Sequence, residues 1–95
     1  MEHLECVENQ LTSLDVSNLY DLRLLYCGNN LLTSLDISNN LMLGVDVDYT
    51  ECYLGIDTMQ SLEEVCVWTM PFPPEGFKLQ MEGSPNVYFT TECSQ

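Results

Sequence analysis

Apolar residues recur in this chain on two superimposed periods. On the short period they alternate: Leu4 and Cys6, Leu25 and Cys27, Val45 and Val47, and Val65 and Val67 are each separated by one position. A period of two puts each pair on one face of an extended strand. On the long period the pattern itself returns. LECVENQLTSLDVSN begins at Leu4, and LYCGNNLLTSLDISN begins 21 residues later at Leu25. The two agree at Leu4/Leu25, Cys6/Cys27, Asn9/Asn30, Leu11/Leu32, Leu14/Leu35, Asp15/Asp36 and Asn18/Asn39. Self-similarity at a fixed period of this size is the mark of a solenoid, whose repeats bury their apolar faces by stacking.

The repeat continues past Asn39 with less fidelity. A 20-residue step puts Met42, Val45 and Val47 in the places of Leu22, Leu25 and Cys27. It also puts Thr50 in the asparagine slot, Cys52 in the slot of Leu11 and Leu32, and Ile56-Asp57 in that of Leu14-Asp15. A second such step gives Leu62, Val65 and Val67, with Met70 in the asparagine slot and Phe72 in the leucine slot. The expectation is therefore four coils over residues 1–68, each opening on a short strand, with the strands paired in parallel. Asn9 and Asn30 fall where the chain turns, and a buried amide there would bond the backbone of its own and the neighbouring loop. Residues 69–95 break the repeat. Pro71, Pro73 and Pro74 oppose a helix or a central strand, while residues 86–91 are rich in strand formers. This segment is expected to cap the last coil, with Phe72, Val87 and Phe89 as the plug.

The stretch from Leu22 to Leu32 resembles the leucine-rich repeat, L-x-x-L-x-L-x-x-N-x-L, with Cys27 in the third apolar slot. The LTSLD-x-SN tail and the short period are similar to the cysteine-bearing repeats of bacterial surface leucine-rich-repeat proteins. The resemblance implies a leucine-rich-repeat solenoid, β-rich with little helix: a short parallel strand stack followed by an irregular β cap. It further implies a cell-surface or secreted protein of which this chain is the carboxyl-terminal part.

Charge narrows the partners. Fifteen acids stand against two bases, Arg23 and Lys78, for a net charge of -13. Such a surface repels nucleic-acid backbones and anionic membranes, and permits a basic protein or a divalent cation. No apolar run approaches the roughly 18 residues of a membrane span, so no membrane insertion is expected. The opening MEHLECVENQ lacks the basic-then-apolar order of a signal peptide. The first residues already lie inside a repeat, which favours a piece of a longer protein; a cytoplasmic location stays open.

Candidate chemistry is sparse. Asp15, Asp36 and Asp57 would form a column that could hold calcium, but LD-x-SN is also a turn in which Asp, Ser and Asn bond local N–H groups, and the turn is favoured. Cys6, Cys27 and Cys52 read as buried apolar residues, since zinc sites usually pair cysteines two to four positions apart. Cys66 alternates outward, and a Cys66–Cys93 bridge across the cap is one of several pairings open to five cysteines. His3 has no nucleophile or carboxylate partner in a recognisable motif, so no enzyme and no cofactor are expected. The outward strand positions remain: Glu5, Leu24, Tyr26, Asp46, Asp48, Glu64 and Trp68. Solenoids recognise partners through such a face. The reading is a non-enzymatic module that binds a protein, basic by charge complementarity, or another ligand. The alternative is a structural unit that caps or self-associates, as a weak homodimer through the uncapped first coil at residues 1–14.

Overall fold

A computed structural model of the chain describes residues 2–45, 47 and 52–93. Among them are seven short strands and no helix: β1 (His3–Glu5), β2 (Leu24–Tyr26), β3 (Ser34–Asp36), β4 (Leu54–Gly55), β5 (Glu64–Cys66), β6 (Leu79–Gln80) and β7 (Tyr88–Thr90). They form two wholly parallel sheets, ordered β1-β2-β4-β6 and β3-β5-β7. The chain visits the first sheet, crosses to the second and returns, winding a β-solenoid of about three turns.

Equivalent residues stack in columns. Leu4 faces Leu25, Leu25 faces Leu54 and Leu54 faces Leu79 in the first sheet. Leu35 faces Val65, and Val65 faces Phe89, in the second. The columns point into one shared core with Leu22, Leu32, Ile37, Ile56, Leu62 and Val67. Burying each such aliphatic side chain contributes roughly 1.5–3 kcal/mol. Leu4 and Leu79, at the ends of the first sheet, are only partly buried.

The coils differ in length. Pairing in the first sheet steps by 21 residues from Leu4 to Leu25, by 29 to Leu54 and by 25 to Leu79. A second marker keeps the same steps. Glu8, Asn29, Thr58 and Gly83 all have positive φ, at 59°, 57°, 55° and 82°. Glu8 N–H donates to Gly28 O (3.1 Å), Asn29 N–H to Asp57 O (3.0 Å) and Thr58 N–H to Glu82 O (2.8 Å). Each coil thus leaves the first sheet through a left-handed residue while its backbone stays bonded to the next coil. Only Gly83 adopts that conformation without a Cβ penalty.

The variation is confined to one crossing. From first sheet to second the chain takes 10 residues (Leu25 to Leu35), 11 (Leu54 to Val65) and 10 (Leu79 to Phe89). The return takes 19 (Leu35 to Leu54) and then 14 (Val65 to Leu79). In the second coil the repeat holds through Leu43, because the turn bonds Leu19 N–H to Val16 O and Leu22 N–H to Leu19 O recur as Asn40 N–H to Ile37 O and Leu43 N–H to Asn40 O. The extra length follows Gly44, whose N–H still bonds Arg23 O at 2.9 Å.

This overturns the 20-residue continuation. Val45 and Val47 are in no strand, and Val45 is exposed. Leu54 and Ile56 take the slots of Leu25 and Cys27, and Leu43, not Met42, takes that of Leu22. Val65 and Val67 are buried, but Val65 pairs with Leu35 of the second sheet rather than with Leu25. Both segments alternate, so period alone cannot choose between them. Burial does, because Leu54 and Ile56 are fully enclosed. Cys52 is buried just before β4, outside the Leu11/Leu32 column, and Thr50 lies outside the described residues. Beyond residue 68, β6 extends the first sheet and β7 the second. Phe72 is buried there against Trp68 (5.4 Å between ring centroids), Phe77 (5.3 Å) and Phe89 (4.9 Å).

Candidate functional site

Polar side chains inside the turns hold the strands in position. Asn30 is buried, and its Nδ2 donates to Cys27 O (2.9 Å), Gly28 O (3.2 Å) and, in the coil before, Cys6 O (2.9 Å). Its Oδ1 accepts from Leu11 N–H at 3.1 Å. Asn9, in the first coil, bonds only Cys6 O and Val7 O of its own loop and is exposed. After 29 residues the slot holds Met59, which is apolar, and after 25 more it holds Ser84, which is buried. Ser84 Oγ donates to Ile56 O (2.6 Å) and accepts from Met59 N–H (2.9 Å), taking up the asparagine's task two coils later. The 20-residue step instead puts Thr50 and Met70 in this slot. Asn40 forms a second bridge, donating from Nδ2 to Val16 O and Leu19 O at 3.0 and 3.1 Å. Nothing in the 21-residue match flags it, because the first coil has Leu19 at the equivalent position.

The outward residues of the first sheet make one continuous row. His3 and Glu5 on β1 stand beside Leu24 and Tyr26 on β2. The His3 and Tyr26 rings meet edge to face at 5.5 Å, and His3 Nε2 lies 3.4 Å from Glu5 Oε2. Tyr26 donates its hydroxyl to Cys52 O at 2.7 Å. Its ring lies across Gly55, where an added Cβ would come within 3.2 Å of Tyr26 Cδ1. Tyr53 and Lys78, just before β4 and β6, extend the row, with the ammonium 5.7 Å from the Tyr53 ring centroid.

The expected strand face is divided. Glu5, Leu24 and Tyr26 come together on the first sheet. Glu64 lies on β5, and its outward neighbours are Ser34 and Tyr88 of the second sheet. The outward rows of the two sheets point away from the core that they share. Trp68 lies beyond the strands, half-buried against Phe72 and Phe77. Asp46 and Asp48 lie outside the described residues. The division follows from the re-phasing: a residue assigned to the wrong sheet is assigned to the wrong face.

The aspartate column is shorter than expected. Asp15 and Asp36 each accept from the N–H and hydroxyl of the serine two residues on, Ser17 and Ser38, at 2.6–3.0 Å. These are the turn bonds, and those from Ser17 hold the Asp15 carboxyl below its ordinary pKa. Asp57 lies elsewhere, against Gly28, and the position beside Asp36 on β5 is Cys66. Cys66 and Cys93 form a disulfide, with Cα atoms 5.5 Å apart. Cys6, Cys27 and Cys52 are in no disulfide among the described residues. Cys27 is fully buried, and its thiol is pushed up to about 12, first by loss of solvent and then by the neighbouring Cys6 and Asp57. Loss of solvent also raises Cys6, which is less enclosed.

Comparison with protein-family models, with curated proteins and with solved structures finds no match to this chain.

Proposed function

We propose that this chain is a leucine-rich-repeat module that recognises a protein through the outward row of its first sheet, without enzymatic activity. The observation that carries the reading is the continuous row His3, Glu5, Leu24 and Tyr26, extended by Tyr53 and Lys78. It mixes rigid aromatic rings, an aliphatic side chain and an exposed carboxylate, the residue kinds that anchor and orient a partner. The net charge of -13 favours a basic partner and would hasten encounter. The assignment to a bacterial surface or secreted protein, with this chain as its carboxyl-terminal part, rests on the sequence resemblance alone.

The test is affinity capture of basic surface proteins, followed by measured affinity for whatever is recovered. Glu5→Lys should weaken binding by roughly tenfold or more if the row is a binding centre. Tyr88→Ala, on the second sheet, should leave it unchanged. The reverse result would move recognition to the second sheet. The second reading, self-association, is favoured by the position of β1 as the outer strand of its sheet beside the exposed Val7.

A further inference from the structure

The outward row of the second sheet brings together three groups that the chain keeps far apart in sequence. Asp36 and Cys66 are register partners on β3 and β5. Cys93 folds back just after β7 to reach Cys66. A carboxylate oxygen of Asp36 and the two sulfurs all lie within 4.8 Å of one another. Ser38 holds Asp36 Oδ1 through two bonds, at 2.9 and 2.6 Å, which fixes the carboxylate in place. Cys66 is buried, Cys93 is half-buried and Asp36 is exposed, so the group has a covered floor and one open side.

We propose that reduction of the Cys66–Cys93 disulfide converts this corner into a zinc-type cation site, held by two thiolates and the Asp36 carboxylate, with water in the fourth position. The disulfide takes up two electrons and two protons to give two thiols. A cellular dithiol supplies both and is itself oxidised to a disulfide. Each thiol then releases its proton as it binds the cation. Two sulfurs and one oxygen suit a borderline-soft, four-coordinate ion; a calcium-type ion would need six to eight oxygens. Metal–sulfur bonds of about 2.3 Å and metal–oxygen bonds of about 2.0–2.2 Å require ligand atoms somewhat under 4 Å apart, within reach of the present cluster. The sulfurs must separate, and Cys93 lies three residues past β7. The site binds metal only when reduced, so redox state selects between a covalent clasp and a metal clasp at one place. Spacing rules pass over it, because Cys66 and Cys93 are 27 residues apart.

The test uses the full chain, reduced without oxygen by a trialkylphosphine, which becomes the phosphine oxide while water supplies the oxygen and both protons. After desalting, the chain is titrated with Co²⁺. One equivalent should give a thiolate-to-cobalt charge-transfer band and the visible bands of tetrahedral cobalt, both bleached by Zn²⁺. The oxidised chain should give neither. Cys93→Ser should abolish the tetrahedral spectrum, and Asp36→Asn should weaken binding by roughly tenfold or more. Circular dichroism follows the fold throughout. A reduced chain that unfolds and then refolds with Co²⁺ would support the site, because metal binding then supplies folding free energy. The inference falls if the reduced chain, folded or not, takes up no Co²⁺. It also falls if the spectrum survives in both variants, since Cys6, Cys27 and Cys52 would then be its source.

Discussion

Asn30 shows how much one side chain can secure. It bonds three carbonyls in two coils and accepts the Leu11 N–H, with the bonds inside its own coil buried and those to the coil before partly buried. Asn30→Ala removes all four bonds, leaving Gly28 O with its bond from Glu8 N–H, and should cost roughly 1–3 kcal/mol in a urea melt. Asn9→Ala, where the exposed side chain bonds only its own loop, should cost about 0.5 kcal/mol or less. Equal losses would remove the distinction between the two slots. Cys27 makes a second case. Burial raises its thiol, so the folded state favours the protonated form. Its contribution is intact below the ordinary value of 9.0 and is lost as pH rises towards about 12. Stability should therefore decline across that window, and Cys27→Ala should flatten the decline. At pH 8 a native chain should be alkylated at Cys6 well before Cys27, because only the thiolate reacts.

At the scale of the element, the turn after each first-sheet strand decides the winding. Thr58 adopts φ 55° there, a conformation unfavourable for a β-branched residue. Thr58→Gly should raise stability by about 0.5–1 kcal/mol, as read from thermal or urea melts. A loss would mean that the Thr58 side chain contributes more than its exposed position suggests. These turns also explain what could be read from the sequence. The first two coils were legible because Leu, Cys, Asn and Asp recur at one spacing, and β1 and β2 lie within a residue of their expected places. The third coil was not, because the extra residues after Gly44 shift the register, and Val45 and Val47 imitate a strand locally. The left-handed slot is filled by Glu8, Asn29, Thr58 and Gly83, four residue types with no common letter to find. Ser84 was hidden for the same reason: a hydroxyl replaces an amide, and the spacing that would have aligned them had changed. The face residues inherit the shift: Glu5, Leu24 and Tyr26 lie on the first sheet, and Glu64 lies on the second.

For the molecule as a whole, β1 is the consequential strand. It has β2 on one side and is the outer member of its sheet, with Leu4 partly buried and Val7 exposed. An outer strand offers unpaired backbone groups to another chain. Two copies meeting edge to edge would satisfy both, as a symmetric pair. The charge of -13 opposes the approach, and salt screens it beyond about 8 Å at physiological ionic strength. For these 95 residues taken alone we propose a weak dimer that tightens with salt, with Leu4→Glu dissolving it. Light scattering that returns 10.8 kDa at every concentration and salt level would refute it.

The unequal crossings bear on what such a chain can tolerate. One passage between the sheets is metrically rigid, and the other has already been let out like a seam without disturbing the columns on either side. New sequence therefore has a natural point of entry after Gly44. A segment of about eight further residues spliced in there should add little closure entropy. The Leu4, Leu25, Leu54 and Leu79 column should keep its register. Evolution, or an engineer, could change what this molecule displays at that seam while leaving its winding alone.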